Sequence, residues 1–89
     1  MRILGEWSHE ELRYTAMIMN GRYILKVESG LLEQTYKFRD GQFDSLEELK
    51  SKITTVFNKG CREAFSTMQS NKESGFLSAD DNFSFPDII

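Results

Sequence analysis

Cysteine and histidine each occur once in 89 residues, and both scarcities close off chemistry. A lone thiol, Cys61, cannot form an intrachain disulfide, which suits a reducing compartment. A lone histidine, His9, excludes the paired histidines of a zinc-protease helix and leaves Cys61 with no base near it in sequence. Long apolar runs are missing as well. Nothing at the N-terminus reaches signal-peptide length, and nothing approaches a membrane span. The expectation is a soluble, cytoplasmic protein. Positive charge is also short, with 11 Lys and Arg against 14 Asp and Glu and a formal net charge of -3. That balance disfavours non-specific nucleic-acid binding, which needs a basic field. Neither an internal sequence repeat nor a low-complexity tract is present.

What the chain does have is aromatic bulk. Seven Phe, three Tyr and one Trp supply large units for a core close to the lower size limit of an unstapled domain. The organisation expected is a single α+β domain over residues 1–70 and a C-terminal tail over 71–89, partly disordered or docked on the domain.

Residues 12–39 carry the fold signal. Asn20-Gly21 separates two alternating apolar runs, the strongest short hairpin signature. A two-residue loop sets Met19 opposite Arg22, Ile18 opposite Tyr23, Ala16 opposite Leu25 and Tyr14 opposite Val27, all but the first on one apolar face. Met17–Ile24, Thr15–Lys26 and Arg13–Glu28 fall on the other face, the last a favourable charge pair. Placing a second turn at Ser29-Gly30 sets Val27 opposite Leu32, Leu25 opposite Gln34, Tyr23 opposite Tyr36 and Lys26 opposite Glu33. A first strand over residues 1–8, joined by a four-residue turn from Ser8 to Glu11, sets Trp7 opposite Leu12, Gly5 opposite Tyr14 and Ile3 opposite Ala16. The expected inner face therefore runs from Ile3 and Trp7 through Tyr14, Leu25 and Val27 to Tyr36 and Phe38.

An antiparallel meander with one apolar face needs a cover. Ser45-Leu-Glu-Glu48 has the form of a capping box. Leu46, Leu49, Ile53, Val56, Phe57, Ala64, Phe65 and Met68 follow at helical spacing. One long helix, bent or interrupted at Gly60, is expected to lie on the sheet. At roughly 36 Å it is longer than a strand of about 27 Å, so its C-terminal end should overhang. Ser70 to Gly75 reads as a linker. The fold class is thus α+β: a four-stranded antiparallel β-β-β-β meander with one long C-terminal helix packed on one face, followed by a tail.

The end of the chain alternates acidic and large apolar residues. Its closing D-D-N-F-S-F-P-D-I-I resembles the acidic tips of bacterial single-stranded-DNA-binding proteins over those ten residues. The resemblance implies docking of a partner through terminal apolar side chains. The other reading is that Phe76, Leu77, Phe83 and Phe85 fold back to complete the core.

Catalytic signals are weak. His9, Glu10 and Glu11 form a polar cluster at an expected hairpin tip, where polar residues are usual. Cys61 beside Arg62 has a cation to lower its pKa, yet a helical cysteine more often packs. No catalytic residue, metal ligand or cofactor is assigned. Two site hypotheses follow. The first is a partner-binding or self-association surface on the outer sheet face, made by Arg13, Met17, Met19, Arg22, Ile24 and Lys26, with methionines as adaptable contacts. RNA recognition by such a face would need exposed aromatics, and every strand aromatic maps inward. The second is a small-ligand cavity between sheet and helix, lined by Trp7, Tyr14, Tyr23, Gln34 and Tyr36. Gln34 is the polar residue on an otherwise apolar strand face and needs partners if buried. The function expected is therefore a small interaction or regulatory protein, non-enzymatic, with a protein partner or a second copy. A ligand-binding domain or minor enzyme is the alternative.

Overall fold

Three two-residue turns at ten-residue spacing generate the sheet, as seen in a computed structural model that describes residues 1–77. Strands β1 (Arg2–His9), β2 (Leu12–Met19), β3 (Arg22–Ser29) and β4 (Leu32–Lys37) lie side by side in chain order. The expected α+β meander is the observed fold.

The central hairpin follows its sequence signal throughout. Asn20 and Gly21 have φ of 54° and 79°, the positive pair a type I′ turn requires. Every β2–β3 pair from Arg13↔Glu28 to Met19↔Arg22 forms as expected. The third turn is displaced by one residue. It is Gly30-Leu31, with Ser29 opposite Leu32, and of the two only Gly30 has positive φ. That pattern, glycine first, is a type II′ turn, whereas Ser29-Gly30 as type I′ would have forced a serine to positive φ. Val27 consequently pairs with Gln34 and Leu25 with Tyr36. The slip is two residues along β4, so Leu32, Gln34 and Tyr36 remain on the inner face.

The first hairpin departs further. Glu10 and Glu11 form a two-residue turn with φ of 50° and 71°, not the four-residue turn expected. Trp7 therefore pairs with Tyr14, and Gly5 with Ala16. The register then shifts between Ile3 and Gly5. This bulge at Leu4 reverses the alternation: Leu4 packs inward, and Ile3, expected inside, pairs with Met17 and is 55% exposed. A bulged edge strand is also a poor template for further pairing. A side chain held at left-handed φ costs roughly 1–2 kcal/mol, so the Glu-Glu turn is strained. Glu11→Gly is expected to stabilise the fold by about 1 kcal/mol after glycine's entropy cost, raising Tm by roughly 4–8 °C. A thermal melt with Tm unchanged or lowered would contradict the strained turn.

Two helices, not one, cover the inner face: α1 (Leu46–Ser51) and α2 (Thr55–Lys72), followed by a π-helical turn (Glu73–Leu77). Ser45 caps α1, its hydroxyl accepting from the Glu48 amide at 3.1 Å. The Glu48 carboxylate reaches back to the Asp44 amide at 2.7 Å, one residue earlier than a capping box predicts. The break falls at Lys52–Thr54 and not at Gly60, which lies within α2. Its cause is local. Ile53-Thr54-Thr55-Val56 is a run of β-branched residues, poor in helix interiors, and Thr54 offers an N-cap that accepts from the Phe57 amide. Ser70 to Gly75, expected to be a linker, continues the helix, with Gln69 and Glu73 hydrogen-bonded one turn apart at 2.9 Å. The expected overhang is present, since residues 69–76 are all exposed.

Beneath α2 the core joins Leu12, Tyr14, Leu25, Val27, Cys61 and Phe65. Beneath α1 a second cluster joins Ala16, Phe43 and Leu49, with Leu4 and Leu46 against it. Leu46 approaches so closely that a Cβ on Gly5 would lie 3.3 Å from it, which accounts for glycine there. Phe43, absent from the expected core, sits edge-on to both Phe38 and Tyr23, at centroid distances of 4.9 and 6.0 Å.

Candidate interaction surface

Both helices lie on the inner face, so no described element covers the outer one. The partner-binding candidates Arg13, Met17, Met19, Arg22, Ile24 and Lys26 all project there, fixed by the β2–β3 register. Met17 and Ile24 are direct cross-strand neighbours on the central strands. They are buried by their surroundings, while Met19 is 41% exposed and Ile3 joins from β1. Ile3 was not among the expected surface residues. Only the bulge at Leu4 brings it there, and no sequence signal marks that bulge beyond Gly5.

Charge along this face is sorted by end. Near the Asn20-Gly21 turn are Arg22 and Lys37, followed by Arg39. With Met19, Ile24, Phe38 and Asp40 they line an open hollow of about 780 Å³. None of these three cations forms an ion pair among the described residues. At the opposite end Glu28 stands directly across from Glu33, a like-charge pairing that is unfavourable within the sheet. The expected Lys26–Glu33 pair is absent because of the displaced turn, and Lys26 faces Thr35. Glu6 is also on this side, with Arg13 at 3.8 Å.

The inner residues Trp7, Tyr14, Tyr23, Gln34 and Tyr36 are brought together in part. Trp7 and Tyr14 stack at 5.4 Å and 14°, with Lys50 of α1 over the indole at 4.7 Å. The Tyr14 hydroxyl donates to Asn58 of α2, itself buried. Gln34 donates to the Cys61 carbonyl at 2.9 Å and accepts from the Tyr36 hydroxyl. Tyr23 lies apart, with Phe43. The polar groups expected to greet a ligand therefore satisfy one another, and neither the basic hollow nor a second hollow along Ser66, Thr67 and Ser70 of α2 is lined by these five residues. Asn58 was missed as a core residue, although it lies in phase with Cys61 and Phe65 on the helix. Burial raises the pKa of both Tyr14 and Tyr36.

Cys61 is 1% exposed, and desolvation pushes its thiol pKa up, outweighing the Tyr36 hydrogen bond and the Arg62 charge that lower it. A protonated, enclosed thiol is a packing group. Arg62 instead pairs with Glu10, so the strained turn clamps the first hairpin to α2. His9 lies 3.8 Å from Glu10 on the surface. Among the described residues no group of three or more His, Cys, Asp and Glu converges as a metal site, and no helix is long and apolar enough to cross a membrane. The acidic closing segment lies outside the described residues. Comparison with known proteins finds no match: no family model, no curated protein and no solved structure is similar to this chain.

Proposed function

We propose that this protein is a small, non-enzymatic interaction module whose contact surface is the outer face of the sheet. One observation carries this reading. Among the described residues the helices cover one face only, and the other exposes Ile3 and Met19 around the buried Met17–Ile24 pair, beside cations that form no ion pair among those residues. Contiguous apolar side chains with a polar rim are characteristic of protein contact sites, and methionine adapts to varied partners. Nucleic acid suits the face less well. Trp7, Tyr14, Tyr23 and Tyr36, the aromatics needed for base stacking, are committed to the inner side, and Glu28 and Glu33 would repel a phosphate chain along its length.

A Met19→Lys substitution tests the reading, with Val56→Lys on the exposed side of α2 as control. Met19 is already 41% exposed and lysine can extend its amine to water from a sheet surface, so folding should survive. Association of the chain, with itself or with a protein that co-purifies with it, should weaken on the order of tenfold or more for Met19→Lys, a cost of about 1.4 kcal/mol, and stay unchanged for Val56→Lys. Equal behaviour of the two variants by sedimentation and affinity capture would contradict the assignment.

A further inference from the structure

The outer face is electrostatically self-complementary, and we infer that it pairs with the outer face of a second copy, strands antiparallel. This rests on the outer-face reading above and names its partner. Arg22, Lys37 and Arg39 occupy one end. Glu28 and Glu33, across from each other, and Glu6 occupy the other, where they outnumber the single cation Arg13 that stands across from Glu28. Arg22 and Glu28 are both on β3, roughly 20 Å apart at strand rise. Within one molecule these two clusters cannot meet. A two-fold axis lying between two stacked sheets and perpendicular to their strands reverses the strand direction while keeping strand order. The basic end of each copy then lies over the acidic end of the other, and both unfavourable like-charge groupings gain opposite charges at once. Such an interface is isologous and closed, as two-fold pairing demands. The parallel alternative stacks cation on cation and acid on acid, and is excluded by the same charges.

The middle of the face suits sheet stacking. Met17 and Ile24, with Thr15 and Thr35 beside them, form a low, weakly charged strip, and Lys26 can direct its amine to the rim. Edge-to-edge pairing through β1 is less suited, since that strand is bulged. Four strands of eight residues or fewer present a face of roughly 19 by 27 Å. That is on the order of 500 Å² per copy, at the low end for a specific complex. The dimer should be concentration-dependent and weakened by salt.

Charge reversal on the full chain decides the matter. Variant one carries Arg22→Glu and Lys37→Glu; variant two carries Glu28→Lys and Glu33→Lys. Sedimentation equilibrium should give a dimer for the unmodified chain and a dissociation constant on the order of 100-fold weaker for either variant alone, because symmetry repeats each change at both ends. An equimolar mixture of the two variants should restore a dimer containing one of each. That recovery also demonstrates that both variants fold. An unmodified chain that stays monomeric at every concentration overturns the second copy as partner and leaves the outer face available to another protein. A dimer that both variants retain overturns the outer-face reading itself.

Discussion

Tyr14→Ala is expected to cost about 3–5 kcal/mol, the range for emptying a buried aromatic site. A domain of this length has only roughly 4–13 kcal/mol in total. Tyr14 is fully buried, stacks on Trp7 and bonds the one buried asparagine of α2. From β2 it therefore ties β1 and α2 together, and alanine removes both contacts. Urea unfolding should show a midpoint reduced by roughly a quarter or more, or a chain already unfolded in buffer. Finer substitutions separate packing from polarity. Tyr14→Phe strands the Asn58 amide, and Asn58→Leu strands the Tyr14 hydroxyl, each at about 1–3 kcal/mol. The double variant leaves nothing unsatisfied and should be more stable than the sum of the two losses implies. Additive losses would contradict a direct Tyr14–Asn58 bond.

Gly21→Val is expected to destabilise by about 2 kcal/mol and lower Tm by roughly 8–16 °C. Gly21 has φ of 79°, and a Cβ there would lie 3.0 Å from the Asp40 carboxylate. A β-branched side chain is among the worst at positive φ, and relief by opening the turn would disturb the central strand pair. Because this turn also positions Met19 and Arg22, the same change should weaken any association through the outer face. A thermal melt within a degree or two of the unmodified protein would contradict the type I′ turn.

The legibility of the fold tracks how many alternatives each signal allowed. Asn20-Gly21 permits one turn type, and from it the whole β2–β3 register followed. Gly30 permits two, depending on whether it stands first or second in the turn, and the energetics of Ser29 at positive φ decides between them. Because the two registers differ by an even number of residues, the inner face was still legible while the cross-strand partners were not. The Lys26–Glu33 opposition of the expected register carries no weight against the observed one, since exposed charge pairs contribute too little to set a register. Glu10-Glu11 gave no turn signal at all. Its conformation is imposed by flanking strand pairing and by Arg62 reaching across from α2, a contact 52 residues distant in sequence. The helix break was legible in principle, because Ile53-Thr54-Thr55-Val56 combines poor helix formers with a capping threonine, but the continuing apolar phase obscured it.

The outer face was legible to the same extent as its register. Arg13, Met17, Met19, Arg22, Ile24 and Lys26 lie together because the Asn-Gly turn places them together. Ile3 and the Glu28–Glu33 opposition came only with the bulge and the displaced turn. Those two features turn a mixed-charge surface into one with a basic end, an acidic end and an apolar strip between.

Methionine methyl resonances followed on dilution test that surface most directly. Met17 and Met19 report the outer face, Met68 reports the packing of α2 on the core, and Met1 reports the exposed terminus. If the outer face joins two copies, the Met17 and Met19 methyl signals shift together as the protein is diluted and Met68 stays fixed. Met17 and Met19 signals that do not move while sedimentation records a change in mass would contradict an interface at this face.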